Sequence, residues 1–221
     1  MDRVVEELLG ELKIIQDREL YRFTSDSVIL TKFARAKSGD IVADFCSGSG
    51  IVGLHFYALN RGKVKKVVLF ELQESLAKMS EESVKLNALE DVFSVENVPL
   101  QAIGREYDDK FSLILCNPPY EKSGFENDDY HKAICRKEIT LTLPEIVEAA
   151  FRKLKFSGRF ALLHRADRIA ELIFTLKKRG LEPKRMQFVS GREGQKPYLV
   201  LVEAVKGGKE GVEVLPTLVN T

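Results

Sequence analysis

The chain has 221 residues, 34 Lys and Arg against 33 Asp and Glu, and an apolar fraction of 44%. That length suits one α/β domain with a modest appendage and excludes two full domains. No apolar run approaches a membrane span, and the acidic start Met1–Glu7 is unlike a signal peptide, so a soluble cytoplasmic protein is expected. Three cysteines without C-x-x-C spacing and three scattered histidines argue against a metal site.

Val4, Val5, Leu8, Leu9, Leu12 and Ile15 recur at helical spacing and predict a first helix. Tyr21–Thr24 reads as extended, and Thr24-Ser25-Asp26 offers N-caps for a second helix through Ala36. A strand–helix rhythm follows. Strands are predicted at Ile41–Phe45, Val64–Phe70, Val92–Val95 and Phe111–Cys116, with helices at Ile51–Asn60 and Gln73–Asn87 and a short turn at Pro99–Gly104. Lys122–Thr140 is polar and loop-like. A helix at Leu143–Leu154, a strand at Gly158–His164 and a helix at Arg168–Lys178 come next. Two last strands, Lys184–Val189 and Tyr198–Val205, have no helix between them and so predict an antiparallel hairpin.

The expected fold is a mostly parallel seven-stranded α/β sheet covered on both faces, with that hairpin at its end. Its parts are a helical extension over 1–40, a core over 41–206 and a mobile Gly-rich tail over 207–221.

After the first core strand, Gly48, Gly50 and Gly53 satisfy G-x-G-x-x-G and open a helix, allowing a tight turn and close backbone approach to a ligand. Asp44 stands just before them. A pyrophosphate would be repelled there and a ligand with an ammonium group favoured. Glu71 ends the next strand, where a carboxylate can accept two ribose hydroxyls. Its bland alternative is an acid facing a helix N-terminus. Glu96 and Asn97, past the third strand, are the candidates for an adenine contact, and Asn97 is the better of the two. Its carbonyl would take an exocyclic amine and its NH₂ a ring nitrogen.

The most specific motif is Asn117-Pro118-Pro119-Tyr120, just past the apolar run Phe111–Cys116. The Asn side chain offers a carbonyl acceptor, two prolines leave the backbone presenting carbonyls, and the Tyr gives a stacking face. The group suits a planar molecule with an NH₂: an adenine or a side-chain amide.

Charge is unevenly placed. The residues from Glu121 onward hold 19 bases against 14 acids, and the first 120 hold 15 against 19. Lys177–Lys196 concentrates seven bases (Lys177, Lys178, Arg179, Lys184, Arg185, Arg192, Lys196) and two acids, which reads equally as a phosphate-binding surface or as a solvated helix end.

Four segments carry a family likeness: Tyr21–Leu30, Asp44–Leu54, Asn117–Tyr120 and Arg192–Glu203, with Arg136-Lys137-Glu138 as a further short element. In these the chain resembles class I S-adenosylmethionine-dependent methyltransferases of the N-P-P-Y type. Within them it is similar to the bacterial tRNA N6-adenine methyltransferases that modify a valine tRNA next to the anticodon. It departs at Asn97, where relatives more often have Asp, and at Lys196-Pro197. S-adenosylmethionine has an amino-acid end, a sulfonium, a ribose and no phosphate, matching the chemistry around Asp44 and Glu71.

The resemblance implies cofactor contacts from Thr24, Asp26, Asp44, Cys46, Ser47, Gly48, Gly50, Glu71, Leu72, Asn97 and Asn117. It implies catalysis by Asn117, Pro118, Pro119 and Tyr120, and RNA contacts from Tyr130, His131, Lys132, Arg136, Lys137, Arg192 and Lys196. Asn117 and the Pro118 carbonyl would accept both hydrogens of the target amine, and Tyr120 would stack on the flipped base. The alternatives are a glutamine N5-methyltransferase acting on a release factor, which would carry a larger helical domain in front, and a non-catalytic RNA-binding module.

Overall fold

A computed structural model describes residues 3–17, 25–118 and 141–220. Ten strands and five α-helices are formed among them. In chain order they are β1 (Arg3–Glu7), β2 (Lys13–Asp17), α1 (Ser25–Phe33), β3 (Asp40–Phe45), α2 (Ile51–Leu59), β4 (Val64–Phe70), α3 (Glu74–Leu86) and β5 (Phe93–Glu96). After these come β6 (Phe111–Cys116), α4 (Leu143–Lys153), β7 (Leu154–Arg165), α5 (Ile169–Arg179), β8 (Leu181–Ser190), β9 (Leu199–Lys206) and β10 (Glu213–Val219).

Eight strands form one sheet in the order β10-β8-β9-β7-β6-β3-β4-β5. β3, β4, β5, β6 and β7 run parallel, and β9 is antiparallel to both β7 and β8. All six residues of β6 are buried, as expected of a central parallel strand covered on both faces. One face packs β-strand residues such as Phe70, Phe111 and Phe160 against α4 and α5; the other packs Val42, Leu69 and Leu115 against α1 and α2. None of these helices is long and apolar enough to cross a membrane.

The chain winds outward from β3 through β4 to β5, then returns to place β6 on the other side of β3. The carboxyl ends of β3 and β6 therefore flank the switch point where α/β sheets bind ligands.

Three expectations are corrected. Val4–Ile15 is not helical: β1 and β2 form an antiparallel hairpin around a 3-10 turn at Leu9–Glu11, where Gly10 takes φ 68°. Leu12, Ile14 and Gln16 alternate inward with period two. The backbone of β2 is held by α3, through Lys13 N–H to Asn87 Oδ1 (2.8 Å), Ile15 N–H to Ser83 Oγ (2.9 Å) and Asn87 Nδ2 to the Lys13 carbonyl (2.6 Å). The sheet has eight strands rather than seven. The eighth, β10, lies in the segment expected to be a mobile tail and pairs parallel with β8.

At the amino end of β3, Asp40 is held by Arg159 Nη2, Ser112 Oγ and Lys37 N–H, each at 2.7 Å. This buried network ties β3, β6 and β7 together at the end of the sheet away from the switch point.

Candidate functional site at the carboxyl edge of the sheet

Strand register aligns the candidate residues. Glu96, Phe70, Phe45 and Cys116 are successive partners across β5, β4, β3 and β6. One residue further along each strand stand Asn97, Glu71, Cys46 and Asn117. With strands about 4.8 Å apart, this row spans about 15 Å.

The loop after β3 turns sharply. Cys46, Gly48 and Gly50 all have left-handed backbone (φ 56°, 57° and 84°), and Gly50 N–H closes the turn on the Ser47 carbonyl at 2.8 Å. A side chain at Gly50 would press on Leu69 and Ser80, and one at Gly53 would overlap Leu69. At Gly48, by contrast, nothing among the described residues lies within 4 Å of where a Cβ would point. Gly50 and Gly53 thus serve helix–strand packing, whereas no described residue fills the space above Gly48.

Asp44 is 1% exposed. Its Oδ2 accepts the Gly53 N–H at 2.8 Å, and its Oδ1 has no partner among the described residues. Burial, with the nearby Glu71 adding to it, pushes its pKa up to about 8 despite the Gly53 bond. Glu71 is also buried and also shifted upward by burial, offset by N–H donors. Its Oε1 accepts from Gln73 N–H and its Oε2 from Gly48 N–H, both at 2.8 Å. Each carboxylate oxygen keeps a second lone pair for a ligand. Leu72, beside it, is exposed, and the buried Ser47 Oγ has no partner among the described residues.

Asn97 Nδ2 donates to the Glu71 carbonyl (2.9 Å) and the Leu72 carbonyl (3.0 Å). The NH₂ group that the sequence assigned to a ring nitrogen is thus used inside the protein, where it pins the turn carrying Glu71. Glu96 accepts the Tyr107 hydroxyl at 2.6 Å.

Asn117 follows β6. Its Nδ2 donates to Ser27 Oγ in α1 at 3.1 Å, and its buried Oδ1 has no partner among the described residues. Ser27 falls inside the Tyr21–Leu30 segment, but the sequence gives it no role. Cys116 and Cys46 adjoin on neighbouring strand ends, and burial pushes the Cys116 thiol up.

Asp26, in the first turn of α1, receives the Tyr198 hydroxyl (3.3 Å) and Asn220 Nδ2 (3.4 Å); Asn220 also reaches Tyr198 Oη (2.9 Å) and Ser25 Oγ (3.0 Å). The residue after β10 therefore helps fasten the start of α1, a long-range link with no local sequence signal.

The basic cluster Lys177–Lys196 does not form one surface. Lys177, Arg179 and Lys184 lie at the amino end of β8, bound to Glu182, Glu148 and the Lys209 carbonyl. Arg185 is buried beside Glu203, with its guanidinium over the Phe33 ring. Arg192 and Lys196 alone lie in the β8–β9 connection, at the end of the sheet that carries Asn117. There Lys196, Pro197, Ala166, Asp167 and Phe188 line an open groove of about 300 Å³.

Thr24, Pro119, Tyr120, Tyr130, His131, Lys132, Arg136 and Lys137 lie outside the described residues.

Comparison with known proteins adds to this geometry. The family model described as the methyltransferase small domain matches residues 24–173. A protein of Tolumonas auensis named tRNA1(Val) (adenine(37)-N6)-methyltransferase is 24% identical over 192 residues, covering 87% of this chain and 79% of its own. Its namesake in Shewanella sediminis is 22% identical over 179 residues, covering 79% and 72%. A solved structure of a predicted O-methyltransferase from Agrobacterium tumefaciens superimposes with a TM-score of 0.70 at 18% identity, covering 88% of this chain and 86% of that one.

Proposed function

We propose, on the premise that the chain belongs to the methyltransferase small-domain family, that it uses S-adenosylmethionine to methylate the exocyclic N6 amine of an adenine in RNA. The substrate is a tRNA, modified near its anticodon in the cytoplasm. The observation that carries the reading is the Asn117 amide, held through its NH₂ side with its carbonyl oxygen buried and unpartnered among the described residues.

The donor set fits the cofactor. Two buried carboxylates, Asp44 and Glu71, border the glycine turn, and Gly48 leaves its outer face open. Glu71 would take the ribose hydroxyls, Asp44 with the Ser47–Gly48 turn the amino-acid end, and Leu72 the apolar face of the nucleoside. The row from Asn97 to Asn117 has the length for a nucleoside joined to an amino acid.

When bound, S-adenosylmethionine would supply an electrophilic methyl carried on a positively charged sulfur. The chain's own contribution is positioning and electrostatics. An adenine NH₂ is a weak nucleophile because its lone pair is delocalised into the ring. Asn117 Oδ1 and the Pro118 carbonyl accept its two hydrogens and favour a pyramidal nitrogen with an available lone pair. Arg192 and Lys196 contact RNA phosphates at the same edge. The RNA assignment is supported by the two tRNA-methylating relatives and by those two bases.

The test is methyl transfer from labelled S-adenosylmethionine to unmodified total tRNA, with nucleoside mass spectrometry of the product. N6-methyladenosine is expected. A labelled glutamine in a release factor, with no label in tRNA, would overturn the substrate assignment.

A further inference from the structure

We infer that Ser27 is a positioning residue that anchors the Asn117 amide in place; the inference rests on the reading of Asn117 given above. An asparagine amide has two nearly isosteric ends with opposite chemistry, and only the carbonyl end can accept the hydrogens of a target amine. Rotation by half a turn would present NH₂ to an NH₂ and remove that interaction. The side chain must therefore be held in place before substrate arrives.

Ser27 does so from another element. It lies in the first turn of α1, 2% exposed, and its Oγ accepts the Asn117 Nδ2–H at 3.1 Å across 90 residues of sequence. The opposite end of the amide, Oδ1, is buried without a partner among the described residues. The start of α1 is itself fastened through Asp26 to Tyr198 and Asn220, so the hydroxyl sits on a fixed support.

A residue that acts through Asn117 changes the methyl-transfer step and leaves cofactor binding alone. The experiment measures single-turnover transfer to tRNA, the dissociation constant for S-adenosylmethionine, and the ¹⁵N–¹H signals of the Asn117 side-chain amide. These are taken for wild type, Ser27→Ala, Ser27→Thr and Asn117→Ala. Ser27→Ala is expected to slow transfer by about 10- to 100-fold, the scale on which misplacing a reacting group acts. The cofactor dissociation constant should stay within about twofold while the Asn117 amide signals shift toward solvent-exposed values. Ser27→Thr, which keeps the hydroxyl, should recover transfer relative to Ala.

Unchanged transfer in Ser27→Ala overturns the inference. So does a parallel loss of cofactor binding and transfer, which would mark a packing role. If Asn117→Ala retains full transfer, the assignment of Asn117 fails first, and with it the inference.

Discussion

Two aspartates on one strand, four residues apart, have opposite surroundings. Asp40, at the amino end of β3, meets a guanidinium, a hydroxyl and a backbone N–H, each at 2.7 Å. Asp44, near the carboxyl end, meets one backbone N–H, and its other oxygen is unpartnered among the described residues. Both are almost fully buried. Burying an ionised carboxylate is costly unless donors replace the lost water. The protein supplies those donors at Asp40 and withholds them at Asp44, where the pKa rises to about 8. The first aspartate holds β3, β6 and β7 in place, and the second is the group proposed to meet the amino-acid end of the cofactor.

The largest effect is expected from dismantling the satisfied end. Arg159→Ala leaves Asp40 buried without its counter-ion, a change that costs about 3–5 kcal/mol when one partner of a buried pair is lost. Denaturant unfolding should show that loss, while the folded fraction binds S-adenosylmethionine with little change. A large loss of cofactor affinity at full stability would break the division between the two ends.

Removing the proposed acceptor should rank next. Asn117→Ala is expected to lower single-turnover transfer by about 10²–10³-fold, the scale for deleting one preorganised polar group. Cofactor affinity and unfolding midpoint should hardly move. The contrast with Arg159→Ala is then one of kind: stability without chemistry at one end of the sheet, chemistry without stability at the other.

Asp44→Asn sharpens the comparison through pH. The folded-state pKa of about 8 lies above the unfolded value of 3.8. Folded wild type therefore holds a proton that the unfolded chain has already released, and its stability from this group falls as pH rises from about 4 to about 8. The Asn variant keeps an acceptor for Gly53 N–H and has no charge to desolvate. Its stability advantage over wild type should grow by about 2 kcal/mol between pH 6 and pH 8. Calorimetric affinity for the cofactor should move the other way, at least about tenfold weaker in the variant. A variant less stable at pH 8 than wild type would sink the idea that Asp44 is buried at a cost.

The strand–helix rhythm that builds this site was legible in the sequence because its signals are local. β4 and β6 occupy the expected residues, and the glycine turn, Glu71 and Asn117 fall where strand ends place them. The failures are tertiary. The apolar residues of Val4–Ile15 satisfy helical spacing, yet their partner is α3, through Ser83 and Asn87 some 70 residues away. β10 was hidden by the glycines before it and by Pro216, which sits at the bulge between Leu215 and Leu218 on an edge strand, where proline is tolerated. The sequence makes Asn97 a candidate adenine contact past the third strand, but the direction of its amide depends on carbonyls that only the folded turn presents. The basic run was one cluster in sequence and divides between opposite ends of β8 because a strand of ten residues lies inside it.

The smallest effect tests how the carboxyl edge is closed. Tyr198, Asn220 and Asp26 form one hydrogen-bonded group joining β9, the end of β10 and α1. Tyr198→Phe and Asn220→Ala should each cost about 0.5–1.5 kcal/mol, the usual worth of such bonds. Because the residues share one network, the double variant should lose less than the sum, with a coupling of at least about 0.5 kcal/mol in a double-mutant cycle. Strict additivity would mean that Asn220 and Tyr198 act separately and that β10 merely covers β8. Coupling would instead make the eighth strand part of the support that carries Ser27 to Asn117. Transfer should then fall severalfold in the double variant, well short of the loss in Ser27→Ala, since the hydroxyl is loosened rather than removed.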